Sequence, residues 1–225
     1  MSKIILYHGS VEKIEKPVFG KGKIYNDYGL GFYCTQHIEL AKEWSCNEGV
    51  DGFSNKYELD TADLKILNLS SKEYNILHWL SLLINNRKFR LLTPTMRRGT
   101  EWLKEHFLID ISEYDLIIGY RADDSYFSFA RAFINNEISL NQLKYAMSLG
   151  KLGEQYVLKT EKAFAQIKFE SAEHADNAIY YARRKKRDDD ARSAYFSELE
   201  KDDINGIFMR DIIREEMTNN DVRLQ

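Results

Sequence analysis

Apolar positions along the chain follow two spacings, one typical of strands and one typical of helices. Short runs rich in β-branched and aromatic residues predict strands at 3–7, 32–35, 55–59, 64–69, 114–120, 155–159 and 165–169. Apolar residues at three- and four-residue intervals predict helices at 37–47, 72–85, 97–107, 126–135 and 140–149, with two or three more after residue 170. We expect Ser70 and Ser71 to cap the second of these helices. Residues 11–28 show no period and are predicted to form a loop.

The order of these elements predicts an α+β protein, because strands and helices are mixed without a regular βαβ rhythm. Charge predicts a division of the chain. The last 55 residues hold 10 basic and 13 acidic side chains, whereas the first 170 hold 22 of each. We therefore predict a compact body over residues 1–170 and a charged helical extension over 171–225, packed on the body or appended to it.

Composition limits the kind of protein. An apolar content of 44% excludes general disorder, and the net charge is only −3. The longest mostly apolar run, Ile76 to Ile84, is too short to span a membrane, and the N-terminus lacks the pattern of a signal peptide. Cys34 and Cys46 are the only cysteines, which argues against a disulfide framework and against a cysteine-based metal site. We expect a soluble, cytoplasmic protein that uses no metal and contacts no membrane.

Three short segments contain the candidate chemistry. They are Tyr7-His8-Gly9-Ser10, the segment from Asp27 to Thr35, and Gly153-Glu154-Gln155-Tyr156-Val157-Leu158. Each has an ordinary interpretation when taken alone: a turn at a strand end, a tight glycine turn, and a plain strand. The glycines of the second segment do not form the dinucleotide-binding fingerprint, because a third glycine is missing and they lead into a strand rather than a helix.

Together, in this order, the segments resemble the ADP-ribosyltransferases, specifically the His-Tyr-Glu branch that includes the poly-ADP-ribose polymerases and diphtheria toxin. The combination of Leu-Tyr-His-Gly-Ser, Asp-Tyr-Gly-x-Gly-Phe-Tyr-x-Thr and Ala-Asp-Asp is also similar to a bacterial family of unknown function in that fold group. The resemblance covers Lys3 to Phe169. It implies a split, twisted β-sheet with inserted helices, and a cleft in which NAD binds as the substrate.

The resemblance also implies roles for individual residues. His8 would donate to, or accept from, a ribose hydroxyl of the adenosine half. The backbone of Gly9 would clasp the nicotinamide carboxamide, and this close approach requires a residue without Cβ. The Ser10 hydroxyl would lie beside the carboxamide. Tyr33 would stack on the nicotinamide ring, and Trp44 would form the opposite wall. The implied NAD-binding positions are His8, Gly9, Ser10, Gly31, Tyr33, Thr35 and Trp44.

The chain departs from the family at the third triad position, where Gln155 stands in place of the Glu. A Gln carbonyl can accept a hydrogen bond from a ribose hydroxyl but carries no charge. With His8 and Tyr33, Gln155 completes the implied catalytic set. Other carboxylates that could contribute are Asp123 and Asp124, whose alternative role is helix capping, and Glu154, which would need a strand bulge to replace Gln155.

We interpret the chain as a mono-ADP-ribosyltransferase that modifies a protein or nucleic-acid acceptor. The resemblance further implies the toxin of a bacterial toxin–antitoxin or phage-defence pair, with an antitoxin as a partner. Two alternatives stay open. One is an NAD- or ADP-ribose-binding module with weak or no turnover. The other is a protein that binds nucleic acid or protein through its helical extension. The basic run 183–187 lies in that extension, but three aspartates follow it at once, so we expect it to be a solvated helix face.

Overall fold

The computed structural model describes residues 3–122, 124–149 and 153–224, except for the side chains of residues 124–126. The strands are β1 (Lys3–Ser10), β2 (Phe32–Cys34), β3 (Gly52–Asp60), β4 (Ile66–Asn68), β5 (Leu116–Tyr120), β6 (Glu154–Leu158) and β7 (Ile167–Ala175). The helices are α1 (Ile38–Ser45), α2 (Ile76–Asn86), α3 (Pro94–His106), α4 (Asp124–Ile134), α5 (Leu140–Ser148), α6 (Glu161–Ala165), α7 (Asn177–Leu199) and α8 (Met209–Arg214). The predicted α+β class is confirmed.

The strands form two sheets that meet at one point. The first sheet is antiparallel, in the order β1-β3-β7, and the second has the order β2-β6-β5-β4, with only β4 and β5 parallel. The N–H of Tyr7 donates to the carbonyl of Thr35 at 2.7 Å, and the N–H of Thr35 donates to the carbonyl of Tyr7 at 2.9 Å. This pair of bonds joins the end of β2 to β1 and fixes how the two sheets approach each other.

Side-chain alternation in β5 and β6 divides the interior into two cores. Leu116 and Leu158 lie in a core between the two sheets, whereas Ile117 and Val157 lie in a larger core beneath the helices. Successive strand residues point to opposite faces, so a strand that is buried on both sides must be apolar throughout. This explains the continuous apolar run of β5, which has β4 and β6 as neighbours.

Helix α2 begins later than predicted. It starts at Ile76 rather than at residue 72, and Asn75 rather than Ser70 or Ser71 caps it. The Asn75 side chain accepts from Leu77 N at 3.0 Å, and the N–H of Asn75 donates to His78 Nδ1 at 3.1 Å. This reciprocal capping box satisfies the first helical N–H groups, so the helix starts there and the preceding residues form turns.

Strands β1 and β7 are longer than predicted. β1 continues through His8 and Gly9 to Ser10 because these residues pair with Asn55, Ser54 and Phe53 of β3. β7 continues to Ala175, so the predicted division after residue 170 falls within a strand. The helices after β7 contribute Ala191, Tyr195, Met209 and Ile212 to the helical core. Across the described ranges, no helix combines the length and the apolar character needed to cross a membrane.

Gly9 allows helix α1 to lie against β1. A Cβ at position 9 would lie 2.1 Å from the carbonyl oxygen of Ala41 and 2.9 Å from the backbone nitrogen of Ser45. Both atoms belong to the backbone of α1, so they cannot rotate away as a side chain could. Helix packing therefore requires glycine at this position whether or not a ligand also does.

We expect Gly9→Ala to lower the free energy of unfolding by about 3 kcal/mol, because overpacking forces α1 away from β1. Urea denaturation measures this loss. Gly49→Ala is the control: its added Cβ meets no atom within 4 Å, although its φ of +71° is left-handed. That variant should lose only the strain of about 1–2 kcal/mol that a left-handed residue carries. Equal losses in the two variants would contradict the close approach of α1.

Candidate functional site

A cleft of about 860 Å³ opens between β1, β2, β6, the 11–31 loop and helix α7. This volume lies in the range of roughly 300–1,000 Å³ that is typical of small-molecule and cofactor sites. Of the sequence-predicted positions that the structure describes, His8, Gly31, Tyr33 and Gln155 line the cleft. Gly9, Ser10, Thr35, Trp44 and Glu154 are outside its lining.

Tyr33 and Gln155 lie on the same face of the second sheet. Tyr33 is directly opposite Val157, and Gln155 is two residues from Val157 along β6. Such diagonal neighbours in an antiparallel pair are roughly 7–8 Å apart, which is close enough for both side chains to contact one ligand. Glu154 points to the opposite face, since β5 and β6 pair without a bulge from Leu158 to Glu154.

Gln155 has a buried acceptor that the described residues leave unpaired. The side chain is only 4% exposed, and its Oε1 has no hydrogen-bond partner among those residues. A buried polar group without a partner costs about 1–3 kcal/mol, so most such groups in native proteins are paired. The Oε1 atom therefore suits a ligand that brings a donor into the cleft.

His8 contributes an imidazole whose tautomer is set by a backbone contact. Nδ1 lies 2.7 Å from the carbonyl oxygen of Tyr33, and a carbonyl can only accept, so we assign the proton to Nδ1. Burial lowers the pKa of His8, which keeps the ring neutral at pH 7. The ring stacks on Phe32 with centroids 4.3 Å apart. Nε2 is then left as a hydrogen-bond acceptor in a fixed ring.

The Tyr33 hydroxyl is engaged within the protein. It donates to the carbonyl of Gly29 at 2.6 Å and accepts from the N–H of Tyr28 at 3.1 Å. Gly29 has a φ of +73°, a conformation that favours glycine. Burial raises the pKa of Tyr33, so the phenol stays protonated. The hydroxyl thus holds the glycine turn, and the ring is the part of Tyr33 that a ligand can use.

The backbone of Gly9 faces the edge of β1 that is not covered by β3. Tyr7 uses its N–H and C=O for Thr35, on the side away from β3. Alternate residues of a strand direct their backbone groups to the same edge. Gly9 therefore directs its N–H and C=O to the edge of β1 at which Tyr7 bonds to Thr35, one residue pair further along the strand. Gly9 can therefore offer one donor and one acceptor side by side, although its side-chain position is filled by α1.

Ser10, Thr35 and Trp44 have other partners. The Ser10 hydroxyl donates to the carbonyl of Glu12 and accepts from Asn55 Nδ2 at 3.0 Å, which shapes the start of the 11–31 loop. The Thr35 hydroxyl accepts from the N–H of His37 at 3.2 Å. The Trp44 ring carries the Arg121 guanidinium 3.2 Å from its centroid. Arg121, rather than Trp44, reaches the cleft.

A buried ion pair that the sequence did not reveal lies at the floor of the cleft. Asp27 is 3% exposed; its Oδ1 accepts from Arg87 Nε at 2.7 Å, and its Oδ2 accepts from the N–H of Ala122 at 2.9 Å. Arg87 Nη2 also donates to the carbonyl of Ala122 at 2.8 Å. Burial raises the pKa of Asp27, and Arg87 opposes this rise. The pair ties the 11–31 loop to the end of α2 and to the segment after β5.

Helix α7 forms one wall of the cleft instead of a fully solvated face. Arg187 makes a two-pronged pair with Glu43, Nε to Oε2 at 2.9 Å and Nη2 to Oε1 at 2.6 Å, and Glu43 is 3% exposed. Arg183 pairs with Glu39 at 2.8 Å. These contacts fix α7 on α1, so that Arg184 and Lys185 reach the cleft.

Lys159 holds the glycine turn through hydrogen bonds to its carbonyl groups. Its Nζ donates to the carbonyl of Tyr28 at 2.6 Å and also to that of Leu30. Burial lowers the pKa of Lys159 to about 8. Three groups therefore hold the 27–31 turn: the Asp27 carboxylate, the Tyr33 hydroxyl and the Lys159 amine.

Two of the predicted carboxylates are not part of the described site. Asp123 lies outside the described residues, and the side chain of Asp124 does as well.

The fold and the cleft define an α+β protein with a ligand-sized, cation-lined site where two sheets meet. The chain belongs to the DUF3990 family of proteins of unknown function, whose sequence profile matches residues 4–169. This confirms the expectation of a family of unknown function. The match ends within β7, so α7 lies beyond it. Searches of the curated proteins and of the solved structures found no significant match.

We expect Asp27→Asn to lower the free energy of unfolding by about 3 kcal/mol, because it removes the buried carboxylate charge that the Arg87 guanidinium and the N–H of Ala122 contact. Urea denaturation measures the loss, with the exposed Asp189→Asn on α7 as the isosteric control. Adding Arg87→Gln to Asp27→Asn should cost less than the sum of the two single changes. A loss from Asp27→Asn no larger than that from the control would contradict the proposed role of the pair.

Lys159 should give stability a particular dependence on pH. The folded chain releases the Lys159 proton near pH 8, whereas the unfolded chain holds it until about pH 10.5. Between these values the unfolded state binds more protons, so the free energy of unfolding rises with pH. The unfolding free energy of the wild type minus that of Lys159→Met should therefore increase from pH 8 to 10.5, because only the wild type has this titrating group. A difference that does not change with pH, or that falls as pH rises, would contradict the lowered pKa of Lys159.

Proposed function

We propose that the chain is an NAD-dependent ADP-ribosyltransferase that moves single ADP-ribose units from NAD to a macromolecular acceptor. The observation that carries the proposal is the unpaired, 4% exposed Oε1 of Gln155, in the same cleft as His8 and Tyr33. The resemblance names these three positions as the catalytic set. The meeting of two sheets beside the cleft also suits the split, twisted sheet of that family.

Polar groups in the cleft, together with the Gly9 backbone beside it, suit the carboxamide and the two ribose units of NAD. The N–H and C=O of Gly9 can clasp a carboxamide, which itself carries one acceptor and two donors. The Tyr33 ring can stack on the pyridinium, and such stacking contributes about 0.5–1.5 kcal/mol beyond the area that is buried. Gln155 Oε1 can accept from the hydroxyl of the adjoining ribose. His8 Nε2, as an acceptor, can bind a hydroxyl of the second ribose.

The reaction breaks the bond between the nicotinamide nitrogen and the ribose C1′. The bonding electrons leave with nicotinamide, which departs neutral, and the ribose becomes an oxocarbenium-like cation. An acceptor nucleophile then bonds to C1′ and gives up its proton. Fixed dipoles around the cation supply most of the catalytic effect in such a site. Gln155 offers a dipole without a charge, which is weaker by about 1 kcal/mol than a bond to a carboxylate and favours slow, single transfers.

The wider context is part of this proposal and is supported by the resemblance alone. A chain of this kind would act as the toxin of a bacterial toxin–antitoxin or phage-defence pair in the cytoplasm. An antitoxin protein would then be a partner.

A second candidate function is an NAD- or ADP-ribose-binding module without turnover. Gln155 is the observation that favours it, since the family's carboxylate is missing. Release of free nicotinamide from NAD separates the two candidates, because a binding module releases none.

The test incubates labelled NAD with the chain and bacterial lysate, and measures both released nicotinamide and label in macromolecules. We expect Tyr33→Ala to lower transfer at least tenfold, because the stacking ring is removed. Tyr33→Phe is its matched control: it keeps the ring, loses the hydroxyl contacts to Gly29 and Tyr28 that help to fix that ring, and should retain clearly more transfer than Tyr33→Ala. Transfer that is unchanged in Tyr33→Ala would exclude the assigned pocket.

Substitution of Gln155 tests the third triad position. Gln155→Glu should keep or raise the rate, up to about fivefold, since a charged acceptor stabilises the cation better by about 1 kcal/mol. Gln155→Leu should lower it about fivefold, corresponding to the loss of a hydrogen bond of about 1 kcal/mol. Equal rates for the wild type and Gln155→Leu would remove Gln155 from the mechanism.

A further inference from the structure

Helix α7 adds cations to the cleft from outside the segment that the DUF3990 profile matches. We propose that α7 is a phosphate-binding wall that holds the diphosphate of the dinucleotide through Arg184 and Lys185. This assignment rests on the proposed function, because NAD supplies the diphosphate. It goes further by giving the charged extension a binding role for the substrate.

The charge of the cleft is opposite to that of the chain. Eight Lys and Arg residues line it against three Asp and Glu residues, a difference of five positive charges, whereas the whole chain carries −3. A cleft lined by one sign of charge concentrates ligands of the opposite sign. The cleft therefore selects an anion.

Not all of these cations are available to a ligand. Arg87 is paired with Asp27, Arg187 with Glu43, and Arg192 with Asp188. In contrast, Arg184 and Lys185, with Lys16 and Lys21 across the cleft, form no ion pair with any described residue. Cations without counter-charges in a cleft are the groups that phosphate recognition uses.

Helix α7 presents Arg184 and Lys185 to the cleft, and its residues Arg183 and Arg187 anchor it on α1. Tyr181, Arg184, Lys185 and Asp188 line the cleft at the three- and four-residue spacing of a single helix face. Arg184 also lies over the Tyr181 ring, 5.3 Å from its centroid, which restricts the guanidinium. Arg187, one residue before Asp188, is fixed on buried Glu43, so the face cannot turn away from the cleft.

The diphosphate is the part of the dinucleotide that needs this wall. The nicotinamide riboside has neutral polar partners at Gln155 Oε1, in the cleft, and at the backbone of Gly9, which lies next to the cleft-lining His8 along β1. The unpaired acceptor at Gln155 is an independent sign that the same cleft receives a ligand. The two negative charges between the ribose units require cations, and Arg184 and Lys185 supply them from α7.

The test compares two double variants that remove equal charge. Arg184→Gln with Lys185→Gln changes the wall. Lys186→Gln with Lys201→Gln removes two cations that lie outside the lining of the cleft. Calorimetry measures binding of ADP-ribose, inorganic pyrophosphate and nicotinamide to each full-length chain. We expect the wall variant to bind ADP-ribose and pyrophosphate at least tenfold more weakly, with a flatter dependence on salt, and to bind nicotinamide unchanged.

Several outcomes would overturn the assignment. One is equal ADP-ribose affinity in the two double variants. Another is a loss of nicotinamide affinity in the wall variant as large as its loss of ADP-ribose affinity, because the two side chains would then not act on the diphosphate specifically. A third is loss of single-stranded oligonucleotide binding with ADP-ribose binding intact, which would assign the wall to a polymeric acceptor.

The transferase proposal can fail separately. If pyrophosphate and ADP-ribose bind through the wall but no nicotinamide is ever released from NAD, the phosphate wall stands and the transferase proposal fails. If nicotinamide is released equally well by both double variants and pyrophosphate does not bind, the transferase stands and the wall fails.

Discussion

The Asp27 carboxylate is the constraint on which the cleft depends. A charge buried to this extent is tolerated only when its partners are in place, so Arg87 and the N–H of Ala122 must meet it. This requirement brings together the 11–31 loop, the end of α2 and the segment after β5. The turn that follows Asp27 is then fixed, and the Tyr33 hydroxyl bonds to that turn at Gly29. The position of the Tyr33 ring is therefore a consequence of a buried ion pair.

The site separates groups that hold the structure from groups left for a ligand. His8 Nδ1 and the Tyr33 hydroxyl are bonded within the protein, which fixes both rings. Gln155 Oε1 is buried on the same sheet face as Tyr33 and has no partner among the described residues. A site whose supporting bonds are made before the ligand arrives does not have to reorganise during the reaction. Helix α7, which forms one wall of the cleft, adds the positive charges of Arg184 and Lys185 to this site.

Local patterns in the sequence predicted much of the fold, and long-range pairs explain what they missed. The apolar run at 114–120 predicted the strand β5, which is buried on both faces and therefore apolar. The start of α2 was missed because the helix begins where Asn75 and His78 cap each other rather than at the two serines. The Asp27–Arg87 and Arg187–Glu43 pairs join residues 60 and 144 positions apart, and no local period reports such contacts. For the same reason, the stacking of the Arg121 guanidinium on the Trp44 ring could not be predicted.

A crystal structure of the chain with NAD bound would test the central claim most directly. The expected result is a ribose hydroxyl within about 3 Å of Gln155 Oε1, with the pyridinium against the Tyr33 ring and the carboxamide at the Gly9 backbone. A dinucleotide bound elsewhere on the chain would contradict the account. So would one bound in the cleft that leaves Gln155 Oε1 without a partner.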